Sequence, residues 1–464
     1  MAILKAAATA NDTLDSLSDT LIDGLILTTP PAGDYLLWTT IQILTPGSTT
    51  TATFLFFNVY VGGVLIPHTE RIYEQDGSVD DAAFTYVIGA IVSPNGSQDV
   101  EIRHRVSATD TPLVAQNREL TLFPSLDAAP IEVTATGDAT TSSNTFAALM
   151  TATLPPNGTY VCTFGTSGQG PTNNAVTFRV VVGGVVVAHS LREQGPSNSS
   201  AADRDECQGS LAVVVTPDGT EDVVIEWRRS NAPGTRTIHQ RTLTLTPTDP
   251  IDVKEASSVA ADSDSTTSDV LIDGMTITDP GQEQYLVLFT AYDFYGTVGT
   301  PDAQTNYSIR EGGVKVPDSD RRADHEESLD DVNMSVQAGG RVNVTTMTTD
   351  LEMFWQNTST TTRTIFERTF IAIRLRPFMR PQHFVRQVFG TPRAHPGSYQ
   401  FRAAPVSPTP DPATLPGFMV VMGIERFPRS RASAYTARAP GNGVFSLTPL
   451  PGVATGFVGT KFLR

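Results

Sequence analysis

Two of the seven histidines in this 464-residue chain, His68 and His189, stand five residues after the second glycine of a Gly-Gly pair. At that spacing they could serve as general bases or metal ligands. After a third Gly-Gly pair, however, Asp318 takes the same place. A base required for one reaction would not change type between copies, so a polar surface role is expected, with one active copy among decayed ones as the alternative. Eight residues after each pair stands an arginine: Arg71, Arg192 or Arg321. The planar guanidinium fork suits a carboxylate or a sugar. A salt bridge or a stacked guanidinium within each domain is the competing reading, and the favoured one, because a residue kept in every copy serves first what every copy shares, the fold. Arg118, Arg241 and Arg368 recur in the same way and read as structural.

Acidic stretches occur at Asp262–Asp269 and Asp318–Asp331. A calcium loop needs about six to eight oxygens around a glycine bend, which neither stretch provides, so solvated loops are expected. Paired carboxylates could serve glycoside hydrolysis, yet no segment gathers Asp, Glu and aromatic residues as a sugar cleft would. Trp38, Trp227 and Trp355 are expected in different strands, which argues against a shared sugar platform. Nucleophile-elbow, phosphate-loop, zinc-protease and EF-hand patterns are absent from the sequence. Cys162 and Cys207 align with Leu37, Val287 and Phe84 of other copies. Two buried thiols are therefore expected, with a disulfide between facing strands as the alternative. No catalytic residue, cofactor or metal is expected.

These residues are carried by a chain that repeats itself three times at a period near 125. Tyr35, Tyr160 and Tyr285 each open an apolar strand. Gly62-Gly63, Gly183-Gly184 and Gly312-Gly313 follow, and an arginine-led strand closes each copy at Pro124, Pro247 or Pro377. Ser18–Gly24 and Ser268–Gly274 match at twice the period. Such a period far exceeds that of solenoid units, so each copy can enclose its own core. Phe57, Val59 and Val61 alternate with Asn58 and Tyr60, as do Phe178, Val180 and Val182 with Arg179 and Val181. That pattern predicts half-buried antiparallel strands, with the glycines supplying the positive φ of a tight hairpin. Roughly seven to nine strands per copy are expected. The fold expected is all-β: three tandem antiparallel β-sandwich or jelly-roll domains over 1–125, 126–247 and 248–377, then an extended C-terminal arm over 378–464.

The arm has a charge of its own. Residues 378–464 hold ten basic and two acidic side chains, so the −17 of the whole chain becomes −25 over residues 1–377. Nucleic acid is a poor partner for so acidic a body, and no apolar run is long enough for a transmembrane helix or a secretory signal. Twelve prolines bracket apolar and basic spots in the arm. Arg380, Arg386, Arg393, Arg402, Phe418, Val420, Arg426, Arg429 and Arg431 are the candidate contacts with a partner, residues 417–427 adding a strand to it. Self-clasping of the arm along its own acidic domains is the alternative.

A tyrosine-led strand, a long strand running into Gly-Gly-Val, an amphipathic strand after a turn and a closing strand together resemble the C1q/tumour-necrosis-factor type of jelly roll, copies of which occur in phage and bacterial virion or fibre proteins. The likeness covers residues 12–377. Members of that group usually carry one module per chain and trimerise, so three modules imply a pseudo-trimer within the chain or a row of modules in a longer assembly. The resemblance implies a virion structural protein, a capsid decoration or accessory protein of a tailed phage or related particle. It would be made in the host cytoplasm, have other virion proteins as partners, and perform no catalysis; homo-oligomerisation is left open. The alternative is a carbohydrate-binding adhesin or tail fibre that contacts host glycans, and an enzyme on a sandwich scaffold ranks third.

Overall fold

The computed structural model describes residues 3–374 apart from 45–52, 76–82, 110–112, 126–127, 171–174, 195–204, 230–233, 296–303, 325–331, 347 and 361. Beyond 374 it describes the four strands Met419–Glu425, Tyr435–Arg438, Val444–Leu447 and Gly456–Leu463. The first copy contains β1 (Leu4–Ala8), β2 (Asp12–Leu14), β3 (Thr20–Leu27), β4 (Tyr35–Leu44), β5 (Thr53–Val61), β6 (Val64–Leu65), β7 (Arg71–Gln75), β8 (Ala83–Val92), β9 (Val100–Val106) and β10 (Leu113–Pro124). One sheet runs β1–β10–β4–β8 with β2 continuing β1 along β10; the other runs β3–β9–β5–β6 with β7 continuing β6 along β5. All pairings are antiparallel, and successive strands cross between the sheets in the order of a jelly roll. The same ten segments and the same two strand orders recur over Ile131–Thr248 and Val253–Arg374.

Local chemistry explains the recurring landmarks. Gly62 and Gly63 adopt φ of 59° and 76° between the paired residues Val61 and Val64, a two-residue turn whose backbone only glycine takes up without strain. The two later Gly-Gly pairs repeat it. The Tyr35 hydroxyl donates to the Pro31 carbonyl (2.9 Å) and that of Tyr160 to Pro156 (2.8 Å), while Tyr285 reaches Pro280, so each opening tyrosine pins the loop before its strand. Arg118 Nη1 donates to Ala10 O (2.5 Å) in the break between β1 and β2; Arg241 reaches Gly137 O and Arg368 reaches Ala260 O (both 2.6 Å) in the equivalent breaks. This second arginine set therefore acts inside its own repeat. The third repeat departs from the proline rule: Tyr35 pairs with Pro124 and Tyr160 with Pro247, but Tyr285 pairs with Arg374, three residues before Pro377.

Each sandwich encloses its own core, built in the first around Leu37, Ile41, Phe57 and Ile102, in the second around Phe164, Phe178 and Leu243, and in the third around Phe289, Tyr307 and Phe370. A fourth core draws on all three repeats: Ile3, Leu36, Trp38, Val87 and Phe123 meet Val161 and Ala212 of the second and Leu286, Leu288, Ile371 and Ile373 of the third. Leu36 and Trp38 alternate with Leu37 along β4, so that strand is buried on both faces, which explains the apolar run Tyr35–Trp38 that opens it. Residues 1–376 accordingly form one compact unit and 377–464 a second. Within the second, Met419–Glu425 pairs with Gly456–Leu463 and Tyr435–Arg438 with Val444–Leu447. The strand expected at 417–427 is thus present, but one of its edges is hydrogen-bonded to the chain's own last strand instead of standing open for a partner.

Candidate functional site at the joints between repeats

The three arginines eight residues past the glycines do not turn into their own domains. Arg71 Nη2 donates to Gly165 O (3.1 Å) of the second repeat. Arg192 Nη2 donates to Thr290 O, Thr290 Oγ1 and Thr369 Oγ1 (2.9 Å each) of the third. Arg321 Nη2 donates to Thr40 Oγ1 of the first. Thr40, Gly165 and Thr290 are the same position, five residues after the opening tyrosine. Each arginine of one repeat therefore enters the next, and the third returns to the first, closing a ring of three joints of one kind. Nη1 of each holds two carbonyls of its own turn: His68 and Glu70, His189 and Leu191, or Asp318 and Asp320.

All three guanidinium groups are at most 1% exposed. Burial pulls Arg71 and Arg321 down to about 10 and Arg192 to about 9, nearby acids offsetting part of the shift, so all three remain charged at neutral pH. A buried cation tolerates such a site only when oxygens surround it. Here they are largely neutral carbonyl and hydroxyl oxygens of two repeats, so the charge is satisfied only when the joint is closed. Among the described residues these guanidinium groups make neither the expected salt bridge within the domain nor a ring stack; the protein's own oxygens take Nη1 and Nη2, while each buried Nε has no hydrogen-bond partner.

The His68/His189/Asp318 column lies on the same joints. His68 Nε2 is 3.3 Å from Glu132 Oε1 of the second repeat, and His189 Nε2 is 3.1 Å from Glu255 Oε1 of the third. At the third joint the acid stands on the other side: Asp318 Oδ2 lies 3.4 Å from Lys5 Nζ of the first repeat. Lys5, Glu132 and Glu255 occupy one register position, opposite Thr121, Thr244 and Ile371. The change from histidine to aspartate is compensated across the interface by a change from glutamate to lysine. Glu132 and Glu255 also accept the amides of Ile91 (2.8 Å) and Val214 (3.1 Å). Lysine cannot accept, and at the third joint Glu119 Oε1 takes the equivalent Arg341 amide (2.6 Å) while its Oε2 meets Lys5 Nζ (2.7 Å). These side chains are between 13% and 27% exposed, apart from Glu119 at 4%, so the expected open polar surface is a set of half-buried interface pairs.

The remaining sequence candidates divide plainly. Trp38 stands in a different strand from the other two, as expected, but Trp227 and Trp355 occupy equivalent strands of their repeats, pairing with Phe178 and Tyr307 at one register position, which His104 fills opposite Phe57. Both are inside sandwich cores, and Trp38 is in the shared core. Cys162 is a buried free thiol, raised to about 12 by burial. It pairs with Val213 while Cys207 pairs with Gly168 on the same two strands, six positions along, so the disulfide alternative fails: that span of about 20 Å far exceeds the about 7 Å a disulfide bridges. The Cys207 side chain lies outside the described residues. Asp262 accepts the Asp273 amide (2.7 Å) and Asp264 that of Thr266 (3.1 Å), so these acidic residues bind their own loop. No group of three metal-ligating side chains occurs among the described residues. Arg380, Arg386, Arg393, Arg402, Phe418, Arg426, Arg429 and Arg431 lie outside the described residues, and Val420 is placed only by its pairing with Phe462.

Strand order and joints together define a triple jelly-roll protein whose sandwiches form a ring within one chain. No protein-family model matches the sequence, and no curated protein matches it. Among solved structures it is similar to a triple jelly-roll protein of the turret assembly in an archaeal virus, at 12% identity over 80% of this chain and 91% of that one, with a TM-score of 0.19. Infectious bursal disease virus, Gt strain, is similar at 8% over 84% and 88%, with a TM-score of 0.21. The CBM22-1–CBM22-2 tandem of Paenibacillus barcinonensis Xyn10C is similar at 9% over 47% and 80%, with a TM-score of 0.16. The strand order above, not these similarities, defines the fold.

Proposed function

We propose that this chain is a structural protein of a virion, a capsid decoration or accessory protein of a tailed phage or phage-like particle, with no catalytic activity of its own. It docks on the particle through its basic C-terminal arm and displays the acidic ring of jelly rolls. The observation that carries this reading is the closed ring. Its most distinctive polar side chains, Arg71, Arg192 and Arg321 with the charged column beside them, are all used to hold one repeat to the next. Covalent fusion keeps such a ring assembled at any dilution, because each joint closes at the high effective concentration set by its tethers. A rigid, self-contained threefold block suits building and display. The basic charge of the arm fits docking on an acidic surface, either a partner's or that of its own body. Glycan recognition through tryptophan has less support, since Trp38, Trp227 and Trp355 are 1%, 5% and 1% exposed.

The test is co-fractionation. An antiserum against the chain is used to follow it through a density gradient of lysate from the cells that produce it, with quantitative mass spectrometry of the particle band. A fixed ratio of this chain to the main shell protein supports the reading. A chain left at the top of a gradient rich in particles refutes it, and glycan-array binding in that case would favour the adhesin. Light scattering on the eluted full chain should give one copy per ring, since the three joints are already filled from within.

A further inference from the structure

We infer that Asn95 is a site of self-modification: the amide nitrogen of Gly96 closes on the carboxamide carbon of Asn95, ammonia leaves, and water opens the resulting succinimide to aspartate or isoaspartate. The reaction needs only the chain and water, and so does not depend on the virion reading. Three Asn-Gly pairs occur in the sequence, at 95–96, 157–158 and 442–443, the last outside the described residues. Glycine leaves the attacking nitrogen unshielded by a side chain, so by sequence all three are alike. The fold separates the two pairs that are described. Asn95, Gly96 and Ser97 are exposed in the turn between β8 and β9. Ser97 donates from its amide (3.0 Å) and from its hydroxyl (2.9 Å) to Asn95 Oδ1. Attack at the carboxamide carbon puts negative charge on that oxygen, so two donors already stand where charge develops. The same bonds fold the side chain back along the following peptide, while the Asn95 amide donates to Gln98 Oε1 (3.1 Å) and holds the residue in place. Gly96, at φ 91°, donates its N–H to no acceptor among the described residues. Hydroxide can therefore take the proton that must leave before the nitrogen attacks. The N–Cγ bond forms, the Cγ–Nδ2 bond breaks, and the departing nitrogen takes a proton from water to leave as ammonia. Water then adds to either ring carbonyl, giving aspartate when the N–Cγ bond opens and isoaspartate when the original peptide bond does.

Asn157-Gly158 is held differently. Gly158 is half-buried and its N–H donates to Pro217 O (3.3 Å), so its nitrogen is engaged, and the Asn157 carboxamide receives no such pair of donors among the described residues. The second repeat carries an aspartate where the first carries Asn95. Asp218 Oδ1 accepts the Thr220 amide and hydroxyl (2.8 Å each), and the Asp218 amide donates to Glu221 Oε2 (3.1 Å). The bonds from Thr220 hold the Asp218 carboxyl below its ordinary range, so it stays an ionised carboxylate, a poor target for the Gly219 nitrogen. The aspartate product at 95 thus has the seat that Asp218 already occupies. Isoaspartate has no such seat, because it routes an extra methylene through the backbone of a turn whose next strand begins beside Asp99, the acceptor of the Gly62 amide (2.8 Å). Thr346 stands at this place in the third repeat, so the first repeat alone carries the site.

The experiment incubates the full chain in mildly alkaline buffer made with heavy-oxygen water, native and in urea, and follows asparaginyl, aspartyl and isoaspartyl peptides by mass spectrometry. In the native chain Asn95 should convert at least about tenfold faster than Asn157, with heavy oxygen incorporated, whereas in urea the two should convert at similar rates. Ser97→Ala, which removes the hydroxyl donor and keeps the amide, should slow native Asn95 by about threefold to tenfold. Ser97→Thr, which brings in the residue of the second repeat, should keep the wild-type rate. Equal native rates, a faster Asn157, or a Ser97→Ala rate equal to that of wild type overturns the inference. A preference for Asn95 that persists unchanged in urea would assign it to local sequence and overturn the role given to the turn.

Discussion

Arg192→Met keeps the length and apolar volume of the side chain at the joint between the second and third repeats while removing its charge and donors. The wild-type fork meets His189 O (3.0 Å), Leu191 O (2.7 Å), Thr290 O, Thr290 Oγ1 and Thr369 Oγ1 (2.9 Å each). The two hydroxyls have other acceptors within reach, Ala212 O for Thr290 and His189 O for Thr369. The three carbonyls lose a charged donor in a site that water does not enter, at about 1–3 kcal/mol each. Against this, methionine removes the cost of burying a cation, the cost that lowers Arg192 to about 9. Its direct hydrogen-bond partners are neutral, but the half-buried Glu367 carboxylate loses a favourable neighbouring charge, which adds to the loss. The net loss should fall at the low end of the range for truncating one partner of a buried charged pair, about 3 kcal/mol. Because the ring has three repeats, hydrogen exchange is the better assay than one denaturation midpoint. Amides of Gln284–Tyr295 and Arg363–Arg374 should exchange through more frequent opening, while those of the first repeat's β9 should change less. In a double-mutant cycle with Thr369→Val the two losses should fall short of additivity by about 1 kcal/mol. Exchange within about 0.5 kcal/mol of wild type at those strands, or strict additivity, would refute the view that the arginine locks the joint.

Three further outcomes follow from the same geometry. Burial lowers the His104 imidazole below its ordinary value, with Asp12, Asp15 and Asp19 offsetting part of the shift. Its contribution is therefore fully present above about pH 6.5 and is lost as pH falls toward the depressed folded value; His104→Trp, the residue of the other two repeats, should flatten urea stability over that window, and an unchanged slope would show that His104 is not its source. Converting the first joint to the third by His68→Asp with Glu132→Lys should restore charge but strand the Ile91 amide, costing about 1–3 kcal/mol; adding Thr242→Glu, the counterpart of Glu119, should recover most of it in thermal melts, and a double variant as stable as wild type would contradict the role given to Glu119. Cys162 should resist an aromatic disulfide reagent at pH 8 and react only on unfolding, since burial holds the thiol near about 12; peptide mapping that finds it labelled in the native chain would contradict this.

The sequence by itself determined the parts whose causes are local. Alternation along Phe57–Val61 sets one face of a strand, Gly62-Gly63 sets a turn that other residues would strain, and three such layouts in series set three sandwiches. Each depends on neighbours a few residues away, so each can be read in order along the chain. The apolar run Tyr35–Trp38 that opens β4 also carried the signal of the shared core, since burial on both faces removes alternation. A uniform period could not place Trp227 and Trp355, because the equivalent positions His104, Trp227 and Trp355 are separated by 123 and then 128 residues where loops differ in length.

Only the tertiary structure decided what the arginines hold. A buried guanidinium is satisfied equally well by a carboxylate, by its own turn or by another repeat's carbonyls, and nothing near Arg321 in sequence indicates Thr40, 281 residues away. The exchange of His–Glu for Asp–Lys likewise looks like free variation until the docking of sheet against sheet shows which positions face each other. Ring closure belongs to the docking of whole domains, where long-range packing selects among partners that local propensity leaves equivalent.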